Sequence, residues 1–178
     1  MNTTANKITI ARIILIPVLM LLLYLGRIYW ALAAYIIACL SDFADGYVAR
    51  HYNQVTDFGK FMDPLADKML VLATMCYLVE VGLMPGWLVA IVLLREFAVS
   101  GLRLLAIEQG IVIAAAWSGK IKTFSTMICL GVLIVLQDNW LPAPKLLKYI
   151  CWGVILVTTI YSGTEYFINN FNVFKHNS

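Results

Sequence analysis

The chain has 178 residues, of which 62% are hydrophobic and 13% charged, and its formal net charge is +3. A soluble domain carries nearer a quarter charged residues, and a mean hydropathy of +0.84 points to a protein that lives in lipid. The small positive balance is not gathered into a basic cluster, which argues against a nucleic-acid partner. The expectation is an all-α polytopic membrane protein, a six-transmembrane-helix bundle in which residues 1–178 form a single domain.

Six apolar spans, each about 20 residues and so able to cross a ~30 Å hydrocarbon core, fall at 8–25, 29–49, 60–80, 86–107, 118–137 and 147–168. Between them lie Gly26-Arg27, a polar turn over 51–58, the stretch from Gly82 through Pro85 to Gly86, Glu108-Gln109-Gly110, and Asp138 to Pro144. Backbone polar groups in lipid must be satisfied within a segment, so the spans are expected to be helices. Strand-like runs such as Ile111-Val112-Ile113 are too short to argue for a barrel. The polar start and the integration of the first apolar run into the pattern argue against a cleaved signal peptide.

Basic residues set the expected orientation. With the N-terminus inside, ten of them (Lys7, Arg12, Arg50, Lys60, Lys68, Arg95, Arg103, Lys120, Lys122 and Lys175) collect on the cytoplasmic side, against three (Arg27, Lys145 and Lys148) outside. Tyr29, Trp30, Trp87, Trp140 and Trp152 fall mostly near the opposite span ends, as an aromatic belt. The four cysteines, Cys39, Cys76, Cys129 and Cys151, sit in apolar runs without CxxC pairing and are expected to be buried free thiols.

Near the N-terminus Asn6, Thr9 and Arg12 are spaced i, i+3 and i+6 along one helix side. An N-cap and a snorkelling arginine would account for them as well as a binding role does. The stretch from Ser41 to Lys68 is less easily absorbed. Asp42, Asp45, Gly46 and Ala49 fall at i, i+3, i+4 and i+7, one helical face, and Gly59, Asp63 and Asp67 fall at i, i+4 and i+8, another. A turn over 51–58 would fold the second acidic face against the first. Asp57 alone would be a cap or a solvated charge, and Gly46 or Gly59 alone a packing glycine. Four carboxylates in register need compensation near low-dielectric surroundings. All-oxygen ligands suit a hard divalent ion, magnesium or manganese.

A second unusual stretch runs from Leu94 to Arg103. Glu96, Ser100 and Arg103, at i, i+4 and i+7, share a face, so Glu96 and Arg103 are expected to neutralise one another. Arg95 lies about a quarter turn away and is left with no partner on its helix. Lys120 and Lys122 follow at the start of the fifth span; the positive-inside rule accounts for them, and so does a phosphate-bearing substrate. Gly153, Thr158, Thr159, Ser162 and Gly163 in the sixth span are expected to serve helix packing.

The pattern Asp42-x2-Asp45-Gly46-x2-Ala49-Arg50-x8-Gly59-x3-Asp63-x3-Asp67 resembles the complete signature of the CDP-alcohol phosphatidyltransferase family, with no position substituted. The resemblance implies transfer of a phosphatidyl group from a CDP-linked donor to an alcohol, with release of CMP. It implies two divalent ions, Mg2+ or Mn2+, on Asp42, Asp45, Asp63 and Asp67, with Asp67 also the catalytic base. It places the donor against Asn6, Thr9, Gly46, Ala49, Arg50, Gly59 and Lys60. The segments Arg95-Glu-Phe-Ala-Val-Ser-Gly-Leu-Arg103 and Gly119-Lys-Ile-Lys-Thr123 resemble the branch that makes phosphatidylglycerophosphate. That branch implies CDP-diacylglycerol and sn-glycerol 3-phosphate as substrates, with Arg95, Arg103, Lys120 and Lys122 on the acceptor phosphate. The implied setting is the bacterial inner membrane, multi-pass, with the site facing the cytoplasm; a homodimer is admitted. Phosphatidylglycerol, serine or an inositol compound are alternative acceptors. A small cation transporter is the alternative of another class, disfavoured because no internal repeat is visible.

Overall fold

The structure is a computed structural model that describes the backbone of residues 4–51, 57–109, 113, 116–138 and 144–170. It describes the side chains of these residues apart from 4–9, 42–51, 57–64, 67 and 144. The described residues form six helices and no strand: α1 (Thr4–Tyr24), α2 (Ile28–His51), α3 (Asp57–Glu80), α4 (Gly86–Glu108), α5 (Trp117–Leu136) and α6 (Pro144–Asn169). Each expected span carries one helix. α1, α3 and α6 start earlier than expected, at Thr4, Asp57 and Pro144, because hydropathy marks the apolar stretch while a helix runs on into its polar flank. For the same reason the turn expected over 51–58 narrows: α2 reaches His51 and α3 begins at Asp57.

Local chemistry explains where the helices stop. Gly26 and Gly82 have φ of 68° and 73°, the left-handed region that costs a residue with a Cβ. After α1, Arg27 donates to the Leu22 carbonyl at 2.9 Å and Gly26 to that of Leu23 at 3.0 Å. After α3 the pattern repeats, Leu83 to Leu78 at 2.8 Å and Gly82 to Val79 at 3.1 Å. These paired bonds satisfy carbonyls that a helix end leaves open. α4 starts just after Pro85, whose extended backbone (φ −82°, ψ 141°) cannot belong to the helix.

Two of the described helical stretches, Trp117–Leu136 and Lys145–Asn169, are long and apolar enough to cross a membrane. α4 is as long but carries Arg95, Glu96 and Arg103 within its apolar run.

The chain divides into two compact units. The first comprises residues 1–83 and 130–144, hence α1, α2, α3 and the last turns of α5. There α1 packs on both α2 and α3. Ala31, Ala34 and Ala38 are buried at i, i+3 and i+7 of α2, small residues that permit close backbone approach. Leu19, Leu23, Leu70, Met75, Leu78, Leu130, Leu133 and Ile134 fill the remaining core. Tyr77 is tied in from three sides: its hydroxyl donates to the Leu23 carbonyl at 3.0 Å, accepts from Gln137 Nε2 at 2.6 Å, and its ring meets that of Tyr24 edge-on at 5.3 Å. Tyr35 lies along Gly131, where a Cβ would touch its ring at 3.6 Å.

The second unit comprises residues 84–129 and 145–178, with α4, the first turns of α5, and α6. Its apolar core joins Val99, Leu102, Ala106 and Tyr166, with Ile113, Ala116 and Phe167 packed against them. The cysteines are free, and Cys129 and Cys151 are buried as expected, but Cys39 is half-buried and Cys76 exposed. An apolar run on a helix includes the side that faces away from the core, so apolar neighbours in sequence do not by themselves bury a thiol.

Substitution of Gly26 or Gly82 by Ala should lower stability by about 1 kcal/mol each through backbone strain alone, since a Cβ at either position meets nothing within 4 Å. Gly153→Ala, also in open space but inside α6, should be neutral or stabilising. Thermal unfolding of the three variants in one detergent checks the contrast.

Candidate functional site

Asp42, Asp45, Gly46, Ala49 and Arg50 lie on the helical backbone of α2, and Gly59, Lys60, Asp63 and Asp67 on that of α3. Asn6 and Thr9 lie on α1. The side chains of all eleven are outside the described residues. Because both stretches are continuous helix, the i, i+3, i+4, i+7 register of α2 and the i, i+4, i+8 register of α3 each define one face. All four acids belong to the first unit.

The same unit holds Arg12, for which the sequence left a snorkelling arginine and a binding role equally open. Arg12 of α1 is 1% exposed. A snorkelling arginine would keep its guanidinium at the surface, so that explanation does not survive. Its spacing from Asn6 and Thr9 along one helix side was the signal in the sequence.

In the second unit the structure gathers charge on α4, α5 and α6. Glu96 accepts from Lys122 Nζ at 2.7 Å and from Arg95 Nη1 at 3.0 Å. Lys122 is 4% exposed, and the Arg95 and Glu96 side chains 12% and 20%. The expected Glu96–Arg103 pair does not form: seven residues of helix separate the two by about 10 Å along the axis, and Lys122 reaches Glu96 from α5. Arg103 is exposed and faces Tyr166, with Nε 3.4 Å from the phenolic oxygen and Cζ 6.0 Å from the ring centre.

Arg95, expected to lack a partner on its helix, has Glu96 beside it in sequence and Ser162 across on α6, to whose Oγ its Nη2 donates. Its buried Nε has no acceptor among the described residues. Gly119 and Gly163 flank the same side chain: a Cβ on Gly119 would lie 3.7 Å from Nη2, and one on Gly163 3.2 Å from Cγ. Ser162 and Gly163 therefore engage a charged side chain rather than a helix surface alone. Gly153 meets nothing within 4 Å, so it has no packing role inside the described chain. Lys120 stands apart from this group, exposed and 4.8 Å over the ring of Trp117.

Among the described residues the arrangement has one carboxylate between a buried lysine and a half-buried arginine, so it carries a net positive charge and an N–H without an acceptor. Such a group accepts an anion readily.

Comparison with known proteins gives this chemistry a class. The family model for CDP-alcohol phosphatidyltransferases matches residues 2–161, and the chain belongs to that family. Among its curated relatives is the CDP-diacylglycerol--glycerol-3-phosphate 3-phosphatidyltransferase of Bacillus subtilis strain 168, 40% identical over 96% of this chain and 96% of the relative. Proteins of the same name from Rickettsia typhi and Escherichia coli K12 are 37% and 34% identical, covering 94% and 89% of this chain and 96% and 90% of theirs. A Mycobacterium tuberculosis protein named probable phosphatidylglycerophosphate synthase is 34% identical over 91% of this chain and 78% of its own length.

Removing Glu96 leaves two cations without their shared carboxylate. Glu96→Gln should cost about 1–3 kcal/mol of stability, the range for weakening hydrogen bonds to charged groups at a part-buried site. Lys122→Met in the same background should cost much less than it does alone, because the partner is already gone. A double-mutant cycle on unfolding in detergent measures the coupling; additive effects would show that the contact carries no energy.

Proposed function

We propose that this protein transfers the phosphatidyl group of CDP-diacylglycerol to sn-glycerol 3-phosphate, producing phosphatidylglycerophosphate and CMP. The observation that carries the proposal is the unbroken acidic signature on two successive helices of a chain matched by the family along residues 2–161. The names and coverage of the bacterial relatives support the choice of donor and acceptor.

The roles follow from charge and reach. Four carboxylates form an all-oxygen donor set that fits a hard divalent cation. Asp42, Asp45, Asp63 and Asp67 would hold Mg2+ or Mn2+, two ions in this reading. When bound, these supply neutralisation of the donor pyrophosphate and of the departing CMP. Asp67 accepts the proton of the attacking glycerol hydroxyl. The hydroxyl oxygen forms a bond to the phosphorus that bears diacylglycerol as the bond from that phosphorus to the CMP oxygen breaks. Positioning and charge compensation provide most of the acceleration.

Gly46 and Ala49 leave room for the nucleotide along α2, with Gly59 in the corresponding role on α3. Asn6, Thr9, Arg50 and Lys60 address the CDP moiety. Arg12, buried on α1, adds a cation in the same unit as the acids. On the acceptor side Arg95 is favoured by its open Nε, and Arg103, Lys120 and Lys122 complete the basic set. In this reading residues 1–178 work as one catalytic domain. The six helices span the bacterial inner membrane, with both acids and basic set at its cytoplasmic side, in keeping with the excess of Lys and Arg assigned there.

Asp63→Asn should abolish turnover with the protein still folded and membrane-bound; substantial activity at ordinary magnesium would remove the assigned metal role. Asp67→Asn should lower kcat by roughly 10²–10⁴-fold, the usual weight of a general base. A collapse of donor binding at unchanged kcat would make Asp67 a binding group instead. For the acceptor, purified enzyme should turn over sn-glycerol 3-phosphate far faster than glycerol, which lacks the phosphate. Equal rates would exclude the acceptor assignment and leave the CDP-alcohol chemistry standing.

A further inference from the structure

Of the four cations assigned to the acceptor, Arg95 alone is gripped along its length by residues the reaction does not otherwise use. Gly163 lies against its Cγ, where a Cβ would come to 3.2 Å, tighter than ordinary contact. Gly119 lies under Nη2, with room for ordinary contact at 3.7 Å. Ser162, fully buried at 0% exposure, accepts from Nη2, and Glu96 accepts from Nη1 at 3.0 Å. α6 thus meets one arginine with two consecutive residues, a missing side chain at the stem and a hydroxyl at the tip.

The chemistry of these contacts is specific. A guanidinium presents its donors in a rigid planar fork, so fixing two nitrogens fixes the direction of the third. Nε, the third, is buried with no acceptor among the described residues. Burying an unpaired donor on a charged group is costly unless a ligand answers it. Ser162 is also neutral. A carboxylate there would orient Arg95 equally well but would cancel its charge, and Glu96 already divides its own charge between Arg95 and Lys122. A neutral hydroxyl holds the fork still and leaves its charge for an anion.

We propose that Ser162 and Gly163 are positioning residues for acceptor recognition: they form, with Gly119, a slot that sets the Arg95 guanidinium to receive the phosphate of the acceptor. The proposal rests on the reading that Arg95 addresses that phosphate. Neither residue touches substrate; each acts through Arg95. Gly163→Ala pushes on the arginine stem without deleting any hydrogen bond, and Ser162→Ala deletes the bond without adding bulk. The two changes therefore reach the same side chain by independent physical routes.

The test compares steady-state kinetics of four variants of the full-length enzyme in detergent, Ser162→Ala, Gly163→Ala, Arg95→Gln and Gly153→Ala, with thermal unfolding of each. Ser162→Ala and Gly163→Ala should each raise KM for sn-glycerol 3-phosphate about tenfold, the scale of one hydrogen bond to a charged group. KM for CDP-diacylglycerol should stay near wild type, and both variants should remain folded at the assay temperature. Gly153→Ala, on the same helix in open space, should change neither KM. In the Arg95→Gln background Ser162→Ala should add nothing, because the group it serves is gone. If Arg95→Gln raises the acceptor KM but the two α6 variants do not, the slot is packing only and the proposal fails while the acceptor reading stands. A fall in unfolding temperature with both KM values moved alike also overturns it. If Arg95→Gln leaves the acceptor KM unchanged, the reading of Arg95 fails and takes the slot with it.

Discussion

A charge carried by an apolar helix must find its compensation inside the protein, because the surroundings supply none. In the second unit that requirement falls on Glu96. It is the shared acceptor of Arg95 from its own helix and Lys122 from α5, at 3.0 and 2.7 Å. Without it two cations of low exposure would face each other and an apolar core built from Val99, Leu102 and Ala106. With it α4 and α5 are tied at one level, and Ser162 extends the tie to α6. Leucines and valines pack against many neighbours about equally well, whereas a buried ion pair tolerates few geometries.

The first unit answers a different constraint. It carries four acids on two successive helices, and both helices are long and continuous. Ala31, Ala34 and Ala38 bring α2 near its neighbours, and the positive-φ glycines at 26 and 82 end α1 and α3 within a single residue. Tyr77 joins the Leu23 backbone to Gln137. None of these residues is chemically active. Their contribution is to make the register of the acidic helices dependable, since a helical face is defined only while the helix continues.

Under the proposed function the acidic and the basic groups serve different substrates. Acids suited to cations lie in one unit, and a compensated but still positive basic group lies in the other. A donor that carries a pyrophosphate and an acceptor that carries a phosphate make different electrostatic demands, and the proposal assigns the residues for each to different helices. Glu96 fits that assignment: one carboxylate for two cations stabilises them without cancelling the charge a phosphate would need.

The number of helices, their approximate limits and the common face of Asp42, Asp45, Gly46 and Ala49 were legible in the chain alone. Hydropathy, glycine and proline punctuation and helical spacing are local properties, and they survive folding unchanged. Family membership was legible for a related reason, since a dense motif over 26 residues, from Asp42 to Asp67, needs no knowledge of neighbouring helices. Partners across helices were not legible. Glu96 and Arg103 share a face but stand about two turns apart, so Lys122, distant in sequence, takes the place that spacing had offered to Arg103. For Arg12 the sequence left snorkelling and a binding role equally open, and its burial decides against the first, because burial depends on what packs around a helix and not on its own sequence. Ser162 and Gly163 read as packing residues until Arg95 was found lying across them. In each case a side chain several bonds long chose among partners on three helices, and only the packing of those helices settled which lay within reach.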